Sequence, residues 1–89
     1  MPEAYALEYS EKAVKIIKKL DKSVAVPILE KLERLASNAD EVKHLALTGN
    51  LSGLYKLRVG DYRVLYSMNR EERVITVENI GHRKEVYDE

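Results

Sequence analysis

Between Leu54 and Ser67 the side chains alternate with a period of two on either side of Gly60-Asp61. That period belongs to an extended strand, and a helix does not satisfy it. Successive residues of a strand point to opposite faces of a sheet. Tyr55, Leu57 and Val59 therefore share one face, and Lys56 and Arg58 the other. On the return strand Tyr62, Val64 and Tyr66 alternate with Arg63, Leu65 and Ser67, so Arg63 joins the face of Lys56 and Arg58. A chain with this stretch must build a hairpin with one apolar face to cover and one cationic face to leave outward. Three cations on a rigid sheet suit a phosphate, which points to nucleic acid.

The rest of the composition fits a single domain spanning residues 1–89, with 45% hydrophobic and 34% charged residues. A chain of this size buries about 60–65% of its unfolded surface, enough for one modest core. With no cysteine it has neither a disulfide framework nor a thiolate metal site. His44 and His82 lie far apart in sequence, so no metal site and no cofactor are expected. The opening Met-Pro-Glu-Ala-Tyr lacks the basic start and apolar run of a signal peptide. No apolar run approaches membrane-spanning length. The expected setting is the cytoplasm, with no membrane partner. Formal net charge is zero, which opposes a nucleic-acid role, but the distribution is uneven. Residues 50–84 carry seven basic side chains against four acidic ones.

Along the chain, residues 4–9 alternate as a first strand, and Ser10 is placed to cap a helix that follows. Ala13, Ile16, Ile17 and Leu20 recur at helical spacing. Asp21-Lys22-Ser23 breaks that helix, and a second is predicted from about Val24 to Ala36, with Pro27 in its first turn. Its apolar stripe is Ala25, Ile28, Leu29, Leu32, Leu35 and Ala36. Residues 37–53 read as loop, with His44-Leu45-Ala46-Leu47 along the core edge. Strands are predicted at about 54–59, 62–68 and 73–79, after which Gly81-His82-Arg83 leaves the sheet and Glu85-Val86-Tyr87 closes the chain. The order β-α-α-β-β-β defines an α+β domain. Two antiparallel helices cover one face of a small twisted antiparallel sheet, and the other face stays open.

No phosphate-cradling glycine loop, zinc-binding helix motif or cysteine nucleophile is present. The chemically suggestive set is Lys56, Arg58, Arg63, Arg83 and Tyr87, with His82 beside Arg83. RNA carries its own nucleophile, the 2′-hydroxyl. Fixed cations around the phosphate stabilise the charge that builds there. Lys56 or Tyr87 is suited to accept the proton. Arginine, with a pKa of about 12.5 or above, serves as a charge stabiliser. Each residue also has a plainer use. Lys56 and Arg58 solvate an exposed strand, Arg63 pairs with Glu78 across the sheet, Tyr87 edges the core, and His82 is structural.

The string Lys56-Leu57-Arg58-Val59-Gly60-Asp61-Tyr62-Arg63-Val64-Leu65-Tyr66, followed by Gly81-His82-Arg83-Lys84-Glu85-Val86-Tyr87, resembles the RelE-type toxins of the RelE/ParE superfamily. The resemblance covers nearly the whole chain, including the Tyr9-Ser10-Glu11-Lys12-Ala13 strand-to-helix step. It implies the toxin half of a type II toxin–antitoxin pair that cuts messenger RNA in the ribosomal A site without a metal. The implied partners are a RelB-like antitoxin, the ribosome and its mRNA, with DNA met only through the antitoxin. The implied catalytic positions are Lys56 (activation or stabilisation of the reacting group), Arg63 (phosphate), Arg83 (charge or leaving group) and Tyr87 (orienting the 2′-hydroxyl or stacking on a base). Arg58 and His82 stand where RelE has lysines, so charge is kept at Arg58 and His82 becomes an auxiliary acid.

Two other readings follow from the same fold: a ParE-like inhibitor of DNA gyrase, and a non-toxic, complex-forming member. ParE-type chains generally lack the full Lys/Arg/Tyr set, which favours the nuclease.

Overall fold

The computed structural model describes residues 4–82. The elements run β1 (Ala6–Tyr9), α1 (Glu11–Lys19), α2 (Lys22–Ser37), β2 (Leu45–Ala46), β3 (Tyr55–Val59), β4 (Tyr62–Asn69) and β5 (Val74–His82), with a short 3₁₀ turn at Gly49–Leu51. The five strands form one sheet in the order β1-β5-β4-β3-β2. No described helix is long and apolar enough to cross a membrane.

The α+β layout stands, but the sheet is mixed. β1 pairs parallel to β5, while every other pair is antiparallel. The helices carry the chain from one edge of the sheet to the other. Leu45–Ala46 then opens a four-strand meander whose last member returns alongside β1. β2 has only two residues, too few for a period to show in the sequence.

Ser10 starts α1 as expected. Its Oγ accepts from the Ala13 amide at 3.0 Å, which satisfies one of the orphan donors of a helix start. The same Oγ donates to the Glu78 carbonyl at 2.9 Å, tying the helix start to β5. The break between the helices is shorter than predicted. Only Leu20 and Asp21 are extended, and the Val24 and Ala25 amides both reach the Asp21 carbonyl at 2.9 Å. α2 therefore begins at Lys22, and Pro27 falls in its second turn rather than its first.

Both helices cover one face of the sheet. Ala13, Ile28, Leu32, Leu35 and Ala36 meet Val64, Tyr66, Ile75, Val77 and Ile80, with Ile16, Ile17, Leu57 and Val59 packed around them. Leu29, read as part of the stripe, is only half-buried. The β3–β4 turn follows its sequence signal. Val59 pairs with Tyr62, and of the two turn residues only Gly60 has a positive φ, +60°. A turn that needs φ > 0 at its first central position takes glycine there.

β5 runs on to His82 instead of ending near residue 79. It contains a bulge, because Tyr66 pairs with Val77 and Leu65 with Asn79, leaving Glu78 as the extra residue. One extra residue reverses which face later side chains take. Before the bulge Ile75 and Val77 enter the core; after it Ile80 does.

Candidate functional site

The register settles the faces of the hairpin. Lys56 pairs with Leu65 and Arg58 with Arg63, while Tyr55, Leu57, Val59, Tyr62, Val64 and Tyr66 pack under the helices. Lys56, Arg58 and Arg63 therefore share the face away from the helices. Residues directly opposite have Cβ atoms about 4.5–5.5 Å apart, and diagonal neighbours about 7–8 Å. The three cations thus stand within one phosphate's reach of each other.

They are not equally exposed. Arg58 is exposed, Lys56 is half-buried and Arg63 is only 8% exposed. Arg63 donates from Nη1 to the Tyr62 carbonyl at 3.3 Å. Its partner on the other side is Gly81, which offers no side chain and is itself buried. A cation held in a partly desolvated seat acts on a nearby anion more strongly than one in bulk water. Nearby, Glu78 Oε2 accepts from Ser67 Oγ at 3.1 Å.

The face is less open than expected. Leu47, Leu51 and Leu54 fold over Leu65 to make a second small core on the cationic side. The Leu47 amide pairs with the Leu54 carbonyl at 2.9 Å, which continues the β2–β3 ladder into this cover. The cations are thereby walled on one flank by leucines. Leu65, an apolar residue alternating with the cations, was the sequence signal that something covers this face.

His82 does not join the trio. It pairs with Tyr62 across β4 and β5, and the two rings meet edge to face at 5.7 Å. Tyr62 packs under the helices, so His82 lies on that side of the sheet. Counting by twos from Ile75 puts it on the cationic face, and the bulge at Glu78 reverses the count. Arg83 and Tyr87, and the predicted closing segment at 85–87, lie outside the described residues.

His44, read from the sequence as running along the core edge, is half-buried among aromatics. Nε2 lies 2.8 Å from the Ala39 carbonyl and Nδ1 lies 2.6 Å from the Tyr66 hydroxyl. A carbonyl only accepts, so Nε2 carries the proton and Nδ1 accepts from Tyr66. Tyr55 stacks on Tyr66 at 5.6 Å. Burial, with Tyr55 adding to it, pushes the Tyr66 hydroxyl up to about 12. This cluster fixes the chain just before Leu45, which pairs with Lys56.

A second clamp sits at the other end. Asp40 accepts from Arg73 at 3.0 Å and from the Tyr5 hydroxyl at 3.3 Å, and the Arg73 guanidinium lies 4.5 Å from the Tyr5 ring centroid. Arg73 adopts φ +56°.

Residues 7–87 match the family model described as the ParE toxin of the type II toxin–antitoxin system parDE. The chain belongs to this family, within the RelE/ParE superfamily of type II toxins. No curated protein matches it. Among solved structures it is similar to the archaeal RelE–RelB complex from Pyrococcus horikoshii, at 32% identity and TM-score 0.72, over 90% of this chain and 96% of that one. It is also similar to the isolated RelE toxin of E. coli, at 27% identity and TM-score 0.75, over 89% and 84% of the two chains. The RelBE2 toxin–antitoxin complex of Mycobacterium tuberculosis shares the fold at TM-score 0.81 and 23% identity, over 93% and 95%.

Proposed function

We propose that this toxin is a ribosome-dependent, metal-independent endoribonuclease that cuts mRNA in the A site and so stops translation. The observation that carries this reading is the placement of Arg58 directly opposite Arg63, with Lys56 two residues from Arg58 on the same strand and diagonal to Arg63, on one face of a hairpin. Like charges directly opposite destabilise a sheet, and an anion bound between them offsets that repulsion.

In the proposed reaction the 2′-oxygen forms a bond to the adjacent phosphorus and the P–O5′ bond breaks. The 2′-proton passes to a base, and the departing 5′-oxygen takes up a proton. The products are a 2′,3′-cyclic phosphate and a 5′-hydroxyl. Arg63, opposite Gly81 in the ladder, grips the phosphate. Arg58 spreads the charge of the phosphorane, and Lys56 activates or stabilises the reacting group. Arg83 and Tyr87 enter on the sequence resemblance, as charge stabiliser at the leaving group and as the group orienting the 2′-hydroxyl. His82, on the other face, is left out. A RelB-like antitoxin in the cytoplasm is the proposed partner that holds the toxin in check.

The match to a ParE family model supports a second reading, inhibition of DNA gyrase. Induction in a host without antitoxin separates the two. Translation arrest with mRNA cut inside ribosomes supports the nuclease. A DNA-damage response with intact mRNA supports gyrase inhibition and sinks the nuclease.

A further inference from the structure

The neutral net charge hides a second concentration of cations, remote from the hairpin. Residues 11–22 hold Lys12, Lys15, Lys18, Lys19 and Lys22 against Glu11 and Asp21, a net +3. The remaining residues then hold ten basic and thirteen acidic side chains, a net −3. All five lysines are exposed. Among the described residues none of Lys12, Lys15, Lys18 and Lys19 is hydrogen-bonded or ion-paired.

The lysines are not explained by helix stability. Lys18 and Lys19 in the last turn of α1 suit the negative end of the helix dipole. Lys12 stands in the first turn of α1 and Lys22 at the first position of α2, where the dipole opposes a cation. Glu11 and Lys15 have the i, i+4 spacing of an ion pair, and no such pair forms within 4 Å. At about 100° per residue, Lys12, Lys15, Lys18 and Lys19 occupy one arc of α1 opposite Ala13, Ile16 and Ile17.

Resting on the nuclease reading, we propose that this lysine arc is a second RNA-docking surface, one that grips the phosphate backbone of folded RNA in the ribosome and not the mRNA being cut. α1 lies on the helix side of the sheet and Lys56, Arg58 and Arg63 on the other, and the shortest dimension of the molecule is 22 Å. A strand seated on the trio does not reach the arc without wrapping around the protein. RNA that walls the protein on both sides reaches both surfaces.

A protein partner fits the arc poorly. Protein interfaces need a desolvated apolar centre depleted of lysine, and the arc's sole exposed large apolar neighbour on α1 is Val14, 36% exposed. The groove floored by Leu35, Val42 and Leu57 and rimmed by Lys31 and Arg34 offers such a centre. Flexible lysines without a pocket suit a lattice of phosphates.

The experiment compares wild type with the triple variant Lys12→Gln, Lys15→Gln, Lys19→Gln, which keeps helix propensity; a matching Melted-curve check by circular dichroism confirms folding. Binding to purified ribosomes is measured across a salt series, together with cleavage of A-site mRNA and affinity for the cognate antitoxin. Each lost phosphate contact lowers the slope of log K against log salt by about 0.7–0.9, so the variant should lose about 2–3 in slope. KM for ribosomes should rise, kcat at saturation should hold, and a triple Lys→Arg variant should bind like wild type. An unchanged slope and KM would overturn the proposal, as would a loss confined to antitoxin binding or to kcat. Failure of the nuclease reading is separately visible: wild type would bind ribosomes with the expected slope and cut nothing.

Discussion

Arg58 and Arg63 face each other in the ladder, an arrangement that weakens the sheet it belongs to. Arg58→Thr, which swaps a cation for a good strand former, is expected to stabilise the protein by up to about 0.5 kcal/mol in urea unfolding. The same change should lower mRNA cleavage. A variant that is more stable and fully active would remove the electrostatic reason for the trio. His44 is a different case, since its value is structural. His44→Phe leaves the buried Tyr66 hydroxyl and the Ala39 carbonyl without a partner, and should cost about 2 kcal/mol of stability. Tyr66 itself gives a pH signature. Its hydroxyl is raised from 10.0 to about 12, so the folded state keeps a proton that the unfolded chain gives up earlier. That contribution is complete below pH 10 and is lost as the pH climbs through 12. Tyr9, also raised by burial and by Glu33, acts in the same sense. Tyrosinate absorbance should show a high-pH step, absent in Tyr66→Phe.

The bulge in β5 decides what the cationic face contains. Because Glu78 is inserted, Gly81 faces Arg63, and Ile80 and His82 turn to the helix side. Its carbonyl is held by Ser10 Oγ and its carboxylate by Ser67 Oγ. Deleting Glu78 leaves Asn79 opposite Leu65 and Ile80 opposite Val64, so the faces should hold while the tethers to Ser10 and Ser67 are lost, at a cost of about 1–2 kcal/mol. Chemical unfolding should report that cost and the Tyr62–His82 ring contact should persist in NMR; loss of the ring contact would mean that the pairing after Val77 is set elsewhere. α2 offers the opposite test. Pro27 in the second turn removes a helix hydrogen bond, worth about 3 kcal/mol against alanine, offset by about 1 kcal/mol from a stiffer unfolded chain. Pro27→Ala should therefore raise stability by about 2 kcal/mol.

Across the complete fold, neutrality is the sum of two basic surfaces and an acidic remainder, so net charge is a poor guide to what this protein binds. Among the described residues, the trio is flanked on one side by a wall of leucines. Free RNA should accordingly be cut far more slowly than ribosome-bound mRNA of the same sequence. Cleavage should persist in excess chelator and fail on a substrate with a 2′-deoxy sugar at the cut site. Cutting of the deoxy substrate would exclude 2′-hydroxyl attack.

The hairpin at Tyr55–Asn69, the cationic face, the Ser10 cap and the helical stripes were all legible from residue order. Strand period, turn chemistry and capping act over a few residues, and local sterics and hydrogen bonds enforce them. The parallel pairing of β1 with β5, the two-residue β2, the leucine cover over Leu65, the face of His82 and the partners of His44 were decided by tertiary structure. Each depends on which distant segment wins a place against a shared core. Tyr66 recruits His44 from the loop, and Leu65 recruits Leu47, Leu51 and Leu54. The bulge exists because Ile75, Val77 and Ile80 must all be buried, although their spacing does not keep one parity. A period read along a single strand has no term for that competition, which is why the cations could be placed from sequence while the face of His82 could not.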